Sequence, residues 1–191
     1  MCGIFGLLNN SNINISENNI KECINELYHR GPDDFGYTKK NIQNLNVHLG
    51  HRRLSILELS KLGSQPMSSH NSRFSIIFNG EIYNHLKLRK LLNSKYNINW
   101  RGNSDTETFL EIFNYYEVEK VHELLEGMFS YVLFDNLKKE ILIARDQTGE
   151  KPLYILTMQN MIAFSSEIKS FKKLELFNKE KNISKNALTN F

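Results

Sequence analysis

The chain has 191 residues, with 40% hydrophobic content, 24% charged content and a formal net charge of +3. That length supports one large domain, or a domain with a short appendage, around a sizeable buried core. No run approaches the roughly 20 apolar residues of a membrane span, and the charge excludes a nucleic-acid face, because six lysines and two glutamates from Lys169 onward leave the rest of the chain at −1.

The chain opens Met1-Cys2-Gly3-Ile4-Phe5-Gly6. The apolar run from Ile4 to Leu8 predicts a buried strand over 3–8. Nothing basic precedes it and no cleavage region follows, so it reads as a strand and not as a secretion signal. Loss of Met1, which the small Cys2 and Gly3 permit, would place a thiol and a free α-amino group on one residue. That pairs a strong nucleophile with a base of unperturbed pKa about 7.7–8.0. Cys2 also reads as an ordinary small residue near a chain end.

A helix is predicted over 16–28 with Ser16 as its N-cap. Cys23 falls at helical spacing between Ile20, Ile24 and Leu27, which marks it as a small core residue. Two cysteines make no disulfide framework, so a reducing, cytoplasmic setting is expected. Gly31-Pro32-Asp33-Asp34 is a breaker cluster. Strands follow around Val47–Leu49 and over 73–79, the second nearly all apolar, as expected where both sheet faces are covered. Helices are predicted over 84–94 and 105–117. In the second, Ser104 and Glu107 have the spacing of a capping box, and Phe109, Ile112, Phe113 and Tyr116 recur on one face. Strands over 128–135, 140–145, 153–157 and 161–165 complete the pattern. Strands and helices segregate in pairs, so the fold class is α+β.

Three further segments read as chemistry or as packing. Asn79-Gly80 ends a buried strand, where the amide side chain and the glycine N–H could converge on an oxyanion; the same dipeptide is a strong turn former. Arg53 closes the segment from His48, where a buried guanidinium could grip a carboxylate, or where the arginines are surface charge. His48 and His51, three apart on a strand, face opposite sides and have no acidic or thiol ligand at suitable spacing, so metal binding is rejected. Asp105, at the first position of its helix, either complements the helix dipole or accepts from a ligand ammonium.

Taken in order, these segments resemble a known family. Cys2-Gly3-Ile4-Phe5-Gly6 is similar to the start of class II glutamine amidotransferases, which are N-terminal nucleophile hydrolases. Five further segments are His29-Arg30-Gly31-Pro32-Asp33, Arg53-Leu54-Ser55-Ile56 with Gln65-Pro66-Met67, Phe78-Asn79-Gly80-Glu81-Ile82-Tyr83-Asn84, Ser104-Asp105-Thr106-Glu107 and Leu125-Glu126-Gly127-Met128-Phe129. With Ala144-Arg145-Asp146, Gly149, Lys151-Pro152-Leu153-Tyr154 and Phe164-Ser165-Ser166-Glu167-Ile168-Lys169, they resemble the glutaminase domain of glutamine-hydrolysing asparagine synthetases over residues 2–171.

The resemblance implies a four-layer αββα sandwich, with Cys2 as nucleophile and its α-amine as base once Met1 is gone. Asn79 and Gly80 would hold the oxyanion. Arg53 would hold the α-carboxylate of L-glutamine, helped by backbone around Leu54 and Ile56, and Glu81 and Asp105 would hold its α-ammonium. It also implies a C-terminal synthetase domain using ATP and magnesium. No Ser-Gly-Gly-x-Asp-Ser loop occurs in these residues, so 172–191 reads as a linker and the start of that domain, with residues 183–191 similar to its beginning. No cofactor is expected within 2–171, and a homodimer is compatible with the sequence without being specified by it. The same front half would serve an enzyme that amidates surface-sugar carboxylates. A non-catalytic glutamine-binding module is the remaining alternative.

Overall fold

The computed structural model describes residues 1–180, so residues 183–191 lie outside the described residues. In chain order the elements are β1 (Gly3–Asn10), α1 (Glu17–Asn25), β2 (Asp34–Ile42), β3 (Leu45–Arg53), β4 (Met67–Ser68) and β5 (Phe74–Ile82). Then come α2 (His85–Asn93), α3 (Asp105–Ile112), α4 (Val118–Leu124), β6 (Gly127–Asp135), β7 (Glu140–Arg145), β8 (Tyr154–Met158), β9 (Met161–Ser165) and α5 (Glu175–Glu180). The strands form two antiparallel sheets, one in the order β2-β3-β1-β9-β8 and the other β4-β5-β6-β7.

Strand period two explains the layering. In β1, Ile4 points between the sheets, while Phe5 and Leu7 point to the opposite face, against α1. Ile4, Val47, Leu49, Ile77, Val132, Phe134 and Phe164 fill the space between the sheets. Phe5, Leu7, Ile20, Cys23, Ile24 and Phe171 fill the space outside the first sheet. Ile76, Phe78, Phe109, Phe113 and Tyr131 pack the second sheet against α2 and α3. Each such side chain contributes about 1.5–3 kcal/mol relative to exposure. Three apolar interfaces require four layers, and the α+β sandwich of αββα type is what forms. Leu174 is buried in the outer cluster, and Leu176 and Phe177 pack on it. No helix among the described residues is long and apolar enough to cross a membrane.

The structure departs from expectation in three places. β2 is a full strand directly after the breaker cluster, where no element was predicted; it is the sheet edge, half-exposed, and its Lys39 and Lys40 suit an edge while hiding the alternation. The helix predicted over 105–117 ends at Ile112, and Val118–Leu124 forms a separate helix with one buried residue, Val121. Only the forward half of the capping box forms. Ser104 Oγ accepts from Glu107 N at 3.1 Å, but the Glu107 carboxylate turns to the backbone N–H groups of Arg101 and Gly102, at 2.8 and 3.0 Å. Ser16 caps α1 as predicted, and Cys23 is fully buried.

Candidate active site

The residues around Cys2 hold the start of the chain in place. Ile4 N donates to Ser166 Oγ at 3.0 Å, and Ser166 N donates back to Ile4 O at 2.9 Å. Arg30 Nε donates to the Cys2 carbonyl at 2.9 Å, while its Nη1 reaches Glu167 Oε1 at 3.1 Å, an oxygen shared with His29. The chain end is therefore a fixed strand extension, unlike a frayed terminus. One turn further on, Asp33 N donates to Arg53 O at 3.0 Å, and its carboxylate accepts from Ser55 N at 2.8 Å. The His29–Asp33 segment thus ties the nucleophile strand to the loop after β3.

The Cys2 thiol lies against that loop, with Leu54 N donating to Sγ at 3.4 Å and the Leu54 carbonyl 3.7 Å away. Burial pushes the thiol pKa up; the Leu54 N–H, the chain's amino terminus and Arg53 pull it down, and Asp105 opposes them. A thiol so placed needs a local base to become a nucleophile.

β5 supplies the opposite wall. Phe129, which stands opposite Gly80, uses its own N–H and C=O on Asp146, so the Gly80–Phe129 pair exchanges no ladder bonds. Phe78, Gly80 and Ile82 therefore turn their N–H groups away from β6. Phe78 N donates to Gln65 Oε1 at 2.6 Å, and Ile82 N donates to Asp105 Oδ2 at 3.0 Å. Gly80 N–H lies between them and faces the cavity. A Cβ at Gly80 would collide with the Met128 carbonyl, so only glycine permits this approach. Asn79 is 1% exposed and its Nδ2 has no partner among the described residues. An unpartnered amide side chain and, next to it, a glycine N–H turned away from the ladder, both lining a cavity, have the composition of an oxyanion hole. His51 stabilises the strand from behind: burial lowers its pKa to about 4, and the neutral ring donates from Nε2 to the Phe78 carbonyl at 3.0 Å.

The cavity, of about 150 Å³, is lined by Cys2, Arg53, Leu54, Ile56, Asn79, Gly80, Glu81 and Asp105, so all eight residues singled out from the sequence meet there. Arg53 is 7% exposed, and its guanidinium donates to the carbonyls of Ser60, at 2.8 Å, and Glu58. Gly63 lies under that guanidinium, where a Cβ would collide with Nη2. Those bonds use two of the five donors and aim the rest. Asp105 accepts from Ile82 N and, at 2.8 Å, from Thr106 N, and burial pushes its pKa up against those bonds. Ile56 is exposed on the cavity rim. His48 and His51 do face opposite sides: His48 Nδ1 shares a hydrogen bond of 2.8 Å with Tyr37, away from the cavity.

Sequence reasoning missed four contributors. Arg30 was quoted in a motif but given no role on the Cys2 carbonyl. Gln65, 6% exposed, ties Phe78 to Thr106. Asp146, quoted in a motif without a role, gathers the N–H groups of Phe129, Glu150 and Lys151. Lys151, likewise quoted without a role, lines the cavity. No periodic pattern marks any of these, since each has a partner more than ten residues away in the chain.

Compared with known proteins, the chain matches the family model of the glutamine amidotransferase domain over residues 1–191. The chain belongs to that family. The asparagine synthetase [glutamine-hydrolyzing] 1 of Bacillus subtilis is 37% identical to this amidotransferase domain over 173 residues, covering 89% of the chain and 26% of the relative. Amidase chry2 of Gibberella zeae is 33% identical over 181 residues, covering 90% and 26%. This domain thus spans about a quarter of the length of those relatives. The solved glutamine phosphoribosylpyrophosphate amidotransferase of B. subtilis superposes with a TM-score of 0.74 at 18% identity, over 90% of this chain and 43% of that one, which is a likeness of fold.

Proposed function

We propose that this domain hydrolyses the side-chain amide of L-glutamine to glutamate and ammonia, and that it is the glutaminase part of an asparagine synthetase. One observation carries the reading: the Cys2 thiol shares a cavity with Asn79, whose Nδ2 has no partner among the described residues, and with Gly80, whose N–H turns away from β6. With Met1 removed, the Cys2 α-amine takes the Sγ proton and the sulfur attacks the amide carbon. The oxyanion settles on Asn79 and Gly80, ammonia leaves with the proton returned, and water hydrolyses the thioester. Arg53 binds the α-carboxylate, and Asp105 and Glu81 bind the α-ammonium, which selects an α-amino acid of glutamine length. The backbone around Leu54 and Ile56 lines that end.

Residues 2–171 form the glutaminase unit in this reading, and the segment from 172 leads toward a synthetase domain. That domain would use ATP and magnesium to amidate aspartate, in the cytoplasm. The glutaminase step itself needs no cofactor. The match to an amidase favours a second reading, in which the ammonia goes to a different carboxylate.

The test is ammonia and glutamate release from glutamine by a chain whose intact mass places Cys2 first. Cys2→Ala is expected to reduce turnover by at least about 10³-fold while the fold melts as before. Turnover that survives in Cys2→Ala sinks the proposal. Glutamine binding without release would make the domain a binding module.

A further inference from the structure

Lys151 is 5% exposed, a rare state for a lysine. Its backbone is fixed, because Lys151 N donates to the same Asp146 carboxylate that holds Phe129 and Glu150. Its side chain enters the active-site cavity beside Met1, Cys2 and Gly80. Among the described residues its Nζ has one partner, the thioether of Met1 at 3.3 Å. A thioether is a weak acceptor for an ammonium. Met1 is also the residue whose removal would free the Cys2 amine. Processing therefore takes away that partner and leaves the Lys151 side chain in the cavity that Cys2 lines.

We propose that Lys151 is a positioning residue for proton transfer: its fixed positive charge disfavours protonation of the Cys2 α-amine and keeps that amine a free base at neutral pH. The inference rests on the glutaminase reading above. The α-amine takes the Sγ proton, the S–C bond forms, the C–N bond breaks, and the leaving nitrogen carries off the proton that the α-ammonium returns.

The charged groups at this cavity are Arg30 from the 28–30 turn, through the Cys2 carbonyl, Arg53 at the end of β3, Glu58 in the loop after it, Glu81 on β5, Asp105 on α3 and Lys151. The three carboxylates favour the protonated amine. Arg30 is paired with Glu167, and Arg53 is engaged by the Glu58 and Ser60 carbonyls. Lys151 is the cation in this group left without an acceptor once Met1 is gone, so it opposes the carboxylates most directly.

The experiment compares chains beginning at Cys2: the unmodified domain, Lys151→Met, which keeps the stem without the charge, and Lys151→Arg, which keeps the charge. The readout is the pH dependence of kcat/KM for glutamine. In Lys151→Met the acidic limb should move up by about one pH unit, lowering activity about fourfold at pH 7 and restoring it near pH 9, while Lys151→Arg follows the unmodified domain. The rate of N-terminal carbamoylation by cyanate against pH reads the amine directly and needs no turnover. A Lys151→Met limb that superimposes on the unmodified one, or a loss uniform across pH, overturns the inference. Lys151→Gln supplies the uncharged arm if Lys151→Met does not fold. An unmodified domain with no glutaminase activity overturns the glutaminase reading instead, and the carbamoylation profile still decides the role of Lys151.

Discussion

The space between the two sheets has two unlike ends, built by the same strands. At one end Val47, Leu49, Ile77, Val132 and Phe134 interlock, and the polar atoms beside them are paired: Lys40 Nζ, over the Phe134 ring, donates to Ser75 Oγ at 2.9 Å. At the other, β3 and β5 continue into His51, Arg53 and Asn79, and Cys2 precedes β1. Apolar side chains need only fill space, whereas buried polar groups each need a partner. His51 finds the Phe78 carbonyl and Arg53 finds two loop carbonyls. Among the described residues, Asn79 Nδ2 finds no partner. The lesson is that a satisfied polar group holds the wall, and an unsatisfied one faces a ligand.

Substitutions at the two ends should separate stability from turnover. The largest stability effect is expected at Phe164, fully buried between the sheets: Phe164→Ala should cost about 3–5 kcal/mol by urea denaturation and leave kcat of the folded protein unchanged. Asn79→Ala should do the reverse, lowering kcat by about 10²–10³-fold with little change in KM or in the urea midpoint. If Asn79→Ala destabilises as strongly as Phe164→Ala and keeps its kcat, the distinction between the two ends collapses.

A smaller effect sharpens the comparison through pH. Burial holds His48 and His51 at about 4, whereas an unfolded chain titrates its histidines near 6.5. Between those values the unfolded state binds more protons, so stability rises with pH. Their contribution is complete above about 6.5 and is lost as pH falls toward about 4, amounting to about 2 kcal/mol per histidine at pH 5. Urea midpoints at pH 7 and pH 5 measure it. His51→Gln, which can still donate to the Phe78 carbonyl, should remove roughly half of the difference.

The elements legible in the sequence are those whose pattern is local. β7 and β9 match their expected bounds, and β1, β6 and β8 do so within a few residues, because apolar runs and alternation survive wherever a strand is covered. β2 was illegible because an edge strand rich in lysine carries a loop's composition. The candidate site was legible as an ordered set of motifs. Taken singly, Asn79-Gly80 still fits a turn and Asp105 still fits a cap, and Asp105 does both jobs at once: it heads α3 and holds Ile82 N.

The sequence by itself determined the α+β class, the pairing of Cys2 with a potential base, and the eight residues that line one cavity. Only the tertiary structure decided which way the Gly80 N–H points, that Arg30 holds the Cys2 carbonyl, and that Lys151 enters the cavity against Met1. The physical reason is range. Periodicity and capping are set within a few residues, but a hydrogen bond between Lys151 and Met1 spans the whole domain and exists only after both sheets have closed on each other.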